Sequence, residues 1–236
     1  MAFWALMQAD LVNSVARSWA VRGWLALMAL QAIVTIPSST SDSTAADALA
    51  SLLGTFPLIW SLFIIVNTSG AVSSESGVVA DSILSKSVTR YDYILAKMAS
   101  RLVLVVGAYM LITLPSAYLV YRYGTGDLST GGVVWSVTIV GMMLVLLTTL
   151  SVALSTLFNR TLVAMIGAWA VWYTAGGITA LFQVEYLSPL DIVDTLPATL
   201  TGDYAASDQW RILIGFALVS AAVMGIAVLH FSRKDL

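Results

Sequence analysis

Long runs of apolar residues, separated by short polar segments, follow one another along almost the whole chain. Six runs approach or exceed the roughly 20 mostly apolar residues that a helix needs to cross a bilayer. They cover residues 19–36, 51–69, 102–121, 133–157, 162–182 and 212–231. The first is the weakest, because its apolar part begins only at Gly23 and Arg22 must extend its charge to the headgroups. The pattern predicts an all-α polytopic membrane protein, with six transmembrane helices in a single transmembrane domain over residues 1–236.

Residues 1–17 predict a different kind of helix. Apolar positions recur there at spacings of three and four, and polar positions occupy the other side: Trp4, Met7, Leu11 and Val15 against Asp10, Asn13 and Arg17. This periodicity is typical of an amphipathic helix that lies in the membrane interface. An extension of the first transmembrane helix has the same periodicity and is the alternative.

The longest polar segment, residues 75–97, follows the second apolar run. Glu75 stands beside two serines that can cap a helix, where a carboxylate suits the positive helix end. The next residues alternate between an apolar and a polar face: Val79, Ala80, Ile83 and Leu84 against Asp81, Ser82 and Ser85. Thr89 and Asp92 then have the capping-box spacing. The pattern predicts a short amphipathic helix, a break, and a second helix that continues into the third run; a plain loop holding two helices together is the alternative.

Residues 183–210 form another long interruption, which is acidic and punctuated by prolines. Its moderately apolar part, residues 184–196, predicts short re-entrant or surface helices. We expect this segment to lie outside the cell.

Composition agrees with a membrane location. The chain is 59% hydrophobic and 10% charged, with a mean hydropathy of +0.89, whereas soluble domains carry about 25% charged residues. A net charge of -2 without a basic patch excludes a nucleic-acid partner. The lack of cysteine excludes disulfides and thiolate metal sites. Residues 1–10 lack the basic start of a signal peptide, so we expect a mature N-terminus.

Basic residues predict the orientation, because cytoplasmic loops of membrane proteins are enriched in them. Six spans place both termini on the same side as residues 70–101 and the turn at 158–161. That side would hold nine of the 11 basic residues: Arg17, Arg22, Lys86, Arg90, Lys97, Arg101, Arg160, Arg233 and Lys234. We therefore expect a multi-pass protein of the cell (inner) membrane with both termini in the cytoplasm.

Two stretches resemble the permease subunits of ABC-2-type transporters. In that family an acidic residue and a glycine follow the second span, and a pattern of apolar, hydroxyl, basic, acidic and tyrosine positions leads into the third. The matching residues are Glu75, Gly77, Ile83, Leu84, Ser85, Val88, Thr89, Arg90, Asp92, Tyr93 and Lys97. The ending Phe231-Ser232-Arg233-Lys234-Asp235-Leu236 resembles the usual end of the family, whereas Ser87 stands where the family has a proline.

The resemblance implies a coupling helix inside the cytoplasmic loop 70–101, seated in a cleft of a separate ATP-binding subunit. The helix would lie near residues 75–84. The residues that couple to the ATP-binding subunit would be Glu75, Gly77, Val79, Asp81, Ile83, Leu84, Lys86 and Arg90. It also implies a permease dimer, with a homodimer expected, above two ATP-binding subunits that hold ATP and Mg. The chain has no G-x-x-x-x-G-K-[ST] phosphate loop. We therefore expect a transporter subunit, most simply of an exporter, that is not an enzyme and binds no cofactor itself.

Other functions stay open, namely a secondary transporter or channel and a membrane assembly or scaffold protein. An intramembrane enzyme is disfavoured, because the chain has one histidine, His230, no HExxH motif and no acid in the middle of a span. Hydroxyl and aromatic side chains mark a possible translocation pathway: Asn67, Thr148, Ser151, Trp172 and Tyr173. A pathway without charge favours an apolar or amphipathic cargo, and ion export remains an alternative.

Small residues in two runs predict where two copies meet. The fifth run contains Ala164, Ala168, Gly176 and Gly177, and the first contains Gly23 and Ala26. Small residues let membrane helices approach closely, and the resemblance implies pairing through these two helices. Packing of the same residues within one subunit is the alternative.

Overall fold

The structure is a computed structural model that describes residues 2–38, 44–73, 89–126, 128–182 and 184–233. Within these ranges the chain is helical and contains no strand. The α-helices are α1 (Ala2–Arg17), α2 (Trp19–Ser38), α3 (Ala45–Thr55), α4 (Ser61–Thr68), α5 (Arg90–Tyr123), α6 (Thr130–Leu157), α7 (Thr161–Leu181), α8 (Pro189–Thr201) and α9 (Ala206–Arg233). A π-helical turn, Phe56–Trp60, joins α3 to α4, and a 3-10 turn, Glu185–Leu187, precedes α8.

Five helices are long and apolar enough to cross a membrane, namely Ala45–Thr68, Arg90–Tyr123, Thr130–Leu157, Thr161–Leu181 and Ala206–Phe231. They coincide with five of the predicted runs and confirm an all-α architecture with membrane-spanning helices. The first run forms α2, whose apolar stretch Trp19–Thr35 is shorter than the others. The total of six spans therefore stays a prediction.

Short polar residues start several of these helices at the positions where the sequence changes from loop to apolar run. Thr44, Thr89, Ser129 and Ser188 each have extended backbone and accept a hydrogen bond from an N–H in the first turn of α3, α5, α6 and α8. Such caps satisfy N–H groups that have no partner inside the helix. The predicted cap at Thr89 is confirmed, and α5 runs on without interruption through the third apolar run, as expected.

Helix α6 lies at the centre of the bundle. It packs most extensively against α9 and also against α5, α7, α8 and α4, and 16 of its 28 residues are buried. Trp135 and Trp210 hold α6 and α9 together through an edge-to-face contact, with ring centroids 5.1 Å apart. By contrast, α7 and α9 present most of their side chains at the surface of the bundle, where a membrane protein meets lipid or a partner.

The acidic segment 183–210 contains α8, so the prediction of a short helix there is confirmed. Its last turn packs so closely on α6 that a Cβ atom on Gly132 would lie 2.1 Å from the Thr199 carbonyl oxygen. Glycine is the residue that permits this approach. Gly202 ends α8 with a φ of 98°, a left-handed conformation that glycine adopts without strain. At the other end of α8, Ser188 and Pro189 are buried beside α7.

Candidate functional site

Seven of the eight predicted coupling residues lie outside the described residues: Glu75, Gly77, Val79, Asp81, Ile83, Leu84 and Lys86. The eighth, Arg90, is the first residue of α5 and is half-buried. The structure describes both edges of the predicted coupling segment, Ser73 on one side and Thr89 on the other. These edges show how the segment is attached to the bundle.

The edge before the segment is held by three hydroxyl side chains, Ser73, Ser155 and Thr161, which we call the hydroxyl anchor. The backbone N–H groups of Val72 and Ser73 both donate to Ser155 Oγ at 3.0 Å. The Ser73 and Thr161 hydroxyls lie 2.8 Å apart. Residue 73 is therefore bonded to the end of α6 and to the start of α7.

The edge after the segment begins with a capped helix. Thr89 Oγ1 accepts from the Asp92 N–H at 3.0 Å, and its hydroxyl donates to the Asp92 carboxylate at 2.8 Å. One turn later, the buried Tyr93 stacks on Phe231 of α9, with centroids 5.8 Å apart. The start of α5 is thereby fixed to the last helix, through the aromatic residue that opens the family-like C-terminal motif.

A buried ionic cluster ties α1 to the same part of α5. It consists of Asp10, Lys97, Ser100 and Arg101, and we call it the anchor cluster. Lys97 Nζ lies 2.6 Å from Asp10 Oδ1, and Arg101 lies 3.5 Å from Asp10 Oδ2. The Ser100 hydroxyl donates to the same carboxylate. The side chains of the three charged residues are only 10 to 13% exposed.

Electrostatics in the anchor cluster favour the charged form of Asp10. Burial by itself raises the pKa of a carboxyl group, but Arg101, Lys97 and the Ser100 hydroxyl together outweigh it, so the pKa of Asp10 lies below its usual value. Asp10 therefore carries a negative charge at neutral pH and neutralises part of the positive charge on α5.

This cluster was not predicted from the sequence. Asp10 was expected on the polar side of α1, away from the membrane, whereas in the structure it faces α5. Leu11, on the predicted apolar side, packs against the main core, and Trp4 is 67% exposed. The sequence feature that could have indicated the cluster is the pair Lys97 and Arg101. Residues four apart share one face of a helix, and two cations on a buried face need a carboxylate nearby.

The predicted pathway residues fall into two groups. Thr148 and Ser151 are buried in α6; Ser151 donates to the Leu147 carbonyl at 2.8 Å, and the Thr148 hydroxyl has no partner among the described residues. Asn67, on α4, donates to the Phe63 carbonyl at 2.8 Å. No hydrogen bond between these three side chains is found among the described residues.

The other two pathway residues, Trp172 and Tyr173, contact the π-helical turn in the second span. The Trp172 indole donates to the Pro57 carbonyl at 2.8 Å, and the Tyr173 hydroxyl donates to the Leu58 carbonyl. Both rings also line a small pocket of about 50 Å³ beside Gly176 and Pro189.

A larger apolar cavity of about 310 Å³ lies between α6, α7, α9 and the turn before α8. Trp172, Phe216 and Pro189 form its buried side. The exposed Val171, Ile178 and Val219 form its rim, so the cavity opens on the side of the bundle. No charged side chain lines it.

The small residues predicted to face a second copy need a correction. Ala164 and Ala168 have 0% exposure, because the bundle itself covers them. The prediction that they lie at an interface between copies is wrong, and the alternative of packing within one subunit holds for both. Gly177 and Gly23, in contrast, have open space where a Cβ atom would lie, and Ala26 is exposed.

Comparison with known protein families and with curated proteins finds no match to this chain. The resemblance to ABC-2 permeases therefore rests on the residues quoted above.

Proposed function

We propose that this chain is the membrane-spanning subunit of an ATP-driven ABC transporter of the ABC-2 type. Two copies would pair in the cell membrane with both termini in the cytoplasm, and two separate ATP-binding subunits would supply ATP and Mg. The chain would act as a single transmembrane domain whose loop 70–101 receives the force of nucleotide binding. Transport, and not a reaction on this chain, would be its activity.

The observation that supports this proposal most is the attachment of the predicted coupling segment at both edges. The hydroxyl anchor bonds residue 73 to α6 and α7. Beyond the segment, Tyr93 and the anchor cluster bond α5 to α9 and α1. A loop that only connects two spans does not require bonds to four helices at its ends. A segment that transmits a movement of a partner to the spans does require them, because loosely held ends would move without moving the spans.

The apolar cavity favours an apolar or amphipathic cargo over an ion. It opens on the side of the bundle, where a lipid-soluble molecule arrives, and its wall lacks charge. A desolvated ion would find no compensating charge there.

Site-specific crosslinking tests the proposal. The chain has no cysteine, so Ile83→Cys introduces a single attachment point for a photoreactive crosslinker in the predicted coupling helix. The expected product is a conjugate with a polypeptide that carries a phosphate loop and hydrolyses ATP. Ser207→Cys, in the segment expected outside, is the matched control and should give no such conjugate. If Ile83→Cys gives none either, while the purified protein is intact, the transporter assignment is wrong.

A further inference from the structure

The second membrane-spanning segment is not one continuous α-helix. The π-helical turn Phe56–Trp60 separates α3 from α4, and Pro57 lies inside it without an N–H group to donate. Prolines and π-helical turns are the usual physical causes of a bend in a helix, and π-helical turns are frequent at functional sites. The turn is therefore a candidate pivot.

The two sides of the pivot differ in how firmly they are held. Helix α3 is packed against α2, α5 and α8, and Leu49 and Leu53 are fully buried. A Cβ atom on Gly54, just before the turn, would lie 2.8 Å from the Val193 side chain of α8. Helix α3 thus has no room to move without its neighbours.

Helix α4 is held less tightly. Leu62, Phe63 and Val66 are exposed along one face, and an apolar cavity of about 200 Å³ lies between α4 and α7. On its other face α4 packs against α6, where Ile64 and Thr68 are fully buried. The cavity provides no attractive contacts, so little packing opposes a tilt of α4 towards α7. At its far end, however, the hydroxyl anchor connects the chain to α7 through Thr161.

Side-chain hydrogen bonds hold the pivot in its described position. Trp172 and Tyr173 of α7 donate to the carbonyls of Pro57 and Leu58. The Tyr173 hydroxyl also lies 2.9 Å from the Ser61 hydroxyl, at the start of α4. The Leu58 carbonyl also accepts from the Ser61 hydroxyl at 2.7 Å. Losing a donor is costly in the apolar interior of a membrane, so the two donors of α7 oppose opening of the turn.

Gln31 of α2 adds a bond across the turn itself. Its side-chain oxygen accepts from the Trp60 indole at 2.6 Å, and its amide donates to Thr55 Oγ1 at 2.9 Å. One side chain therefore joins the last residue of α3 to the last residue of the π-helical turn.

We propose that the π-helical turn Phe56–Trp60 is a hinge about which α4 changes its angle to α3, and that Trp172 and Tyr173 are its latch. Opening requires the two donors of α7 to leave the carbonyls of Pro57 and Leu58. The hinge goes beyond the proposed function. Only its role in transport rests on that function: α4 leads directly to residue 73 and the predicted coupling segment, so a change in its angle would be linked to that segment.

Distances between spin labels on the two sides of the turn test the hinge. Ser51→Cys on α3 and Val66→Cys on α4 are exposed positions, separated by about 22 Å along a regular helix. The chain is placed in lipid nanodiscs without nucleotide or partner and diluted with unlabelled protein to remove distances between copies. Trp172→Phe with Tyr173→Phe removes both donors and keeps an aromatic ring at each position. A broader distribution or a second distance peak is expected.

Two controls separate a hinge from general loosening. Ile214→Cys and Leu229→Cys are exposed, equally spaced along α9, and cross no turn, so their distance should not change. Leu181→Ala alters a largely exposed side chain of the same helix α7 and should leave both distances as they are. An unchanged distance across the turn, or an equal change in either control, overturns the hinge. If the double variant cannot be recovered, Tyr173→Phe alone is measured, and an unchanged distribution has the same meaning.

The outcome is independent of transport. A hinge that fails this test leaves the proposed function intact, because no nucleotide or partner takes part in it. A missing ATP-binding partner in turn leaves the hinge intact.

Discussion

Lys97 of α5 and Asp10 of α1 form a salt bridge of 2.6 Å in which both side chains are about nine-tenths buried. Taking two charges out of water is costly, and breaking a buried pair by removing one partner is costlier than never having formed it. Asp10 also faces Arg101 at 3.5 Å. One carboxylate thus faces two cations of α5 and pairs the charges of the two helices.

Asp10→Asn should therefore destabilise the protein, because it removes the carboxylate that faces two buried cations. We expect a loss of about 3 kcal/mol in the free energy of unfolding, the lower end of the range for such pairs, since a tenth of each side chain remains exposed. Unfolding in mixed micelles of increasing SDS content measures it. Asp208→Asn, which removes a largely exposed carboxylate paired with Arg211, is the matched control and should cost less than about 1 kcal/mol. Equal losses in the two variants would contradict the prediction.

The same carboxylate predicts a pH dependence. Because the pKa of Asp10 is lowered in the folded protein, its contribution to stability is complete above the unfolded value of about 3.9 and is lost as the pH falls through the folded value. Stability of the wild type should be unaffected by this group between about pH 5 and 7 and fall in stronger acid. The difference between wild type and Asp10→Asn should shrink over the same acid range. A difference that is constant down to about pH 2 would mean that the carboxylate has another role.

The apolar face of the predicted coupling helix is expected to bind the ATP-binding subunit. Ile83→Asp or Leu84→Asp places a charge on its apolar face and should greatly reduce recovery of the ATP-binding subunit with the tagged chain, without removing the chain from the membrane. Ser85→Asp, on the predicted polar face, should leave recovery unchanged. Densitometry of the purified complex and its ATPase activity are the measurements. Full recovery with Ile83→Asp would exclude this face as the docking surface.

The orientation of the chain can be tested by labelling. A cysteine at Ser207, which is exposed near the start of α9, should react with a membrane-impermeant maleimide on intact cells. A cysteine at Asn159, exposed in the turn between α6 and α7, should react only after the membrane is opened. The reverse pattern would overturn the whole orientation.

The corrected packing of α7 changes the expectation for self-association. Cysteines at Ala164 or Ala168 should not crosslink two copies, because both side chains point into their own subunit. If two copies meet through α7, cysteines at the exposed Ile166 or Gly177 should crosslink instead. Leu111→Cys, on the exposed face of α5, controls for chance collisions in the membrane. Crosslinking at Leu111 alone would place the interface on α5.

The parts of the fold that were predicted are those that depend on the local sequence alone. Five apolar runs were located from length and hydropathy, since a helix in lipid must be continuously apolar. Hydropathy has no period in such a run, so it did not show that Ala164 faces inward. Nor did it show that Pro57 lies in a π-helical turn, because neighbouring side chains such as Trp172 are what complete that turn. The second span also begins six residues before the predicted position, at Ala45, where Thr44 caps it.

Local and long-range features of the site differ in the same way. The cap at Thr89 was predicted because both of its members lie within one turn of sequence. The bonds from Ser155 to residues 72 and 73 join positions more than 80 apart along the chain, and serines in apolar runs are too common to single out one pair. Asp10 was assigned to water because the polar side of an isolated helix is indistinguishable from a side that meets another helix.

The central position of α6 has a consequence for biosynthesis. Its most extensive neighbour, α9, is the last helix of the described chain to be synthesised, and α7 and α8 also follow it. When α6 leaves the ribosome, its buried hydroxyls, such as those of Ser136 and Thr148, still face lipid or the insertion machinery. Membrane helices are inserted first and associate afterwards. The core of this bundle therefore closes only after translation has passed α9, so a ribosome that stalls within the last helix leaves an inserted chain whose centre is uncovered.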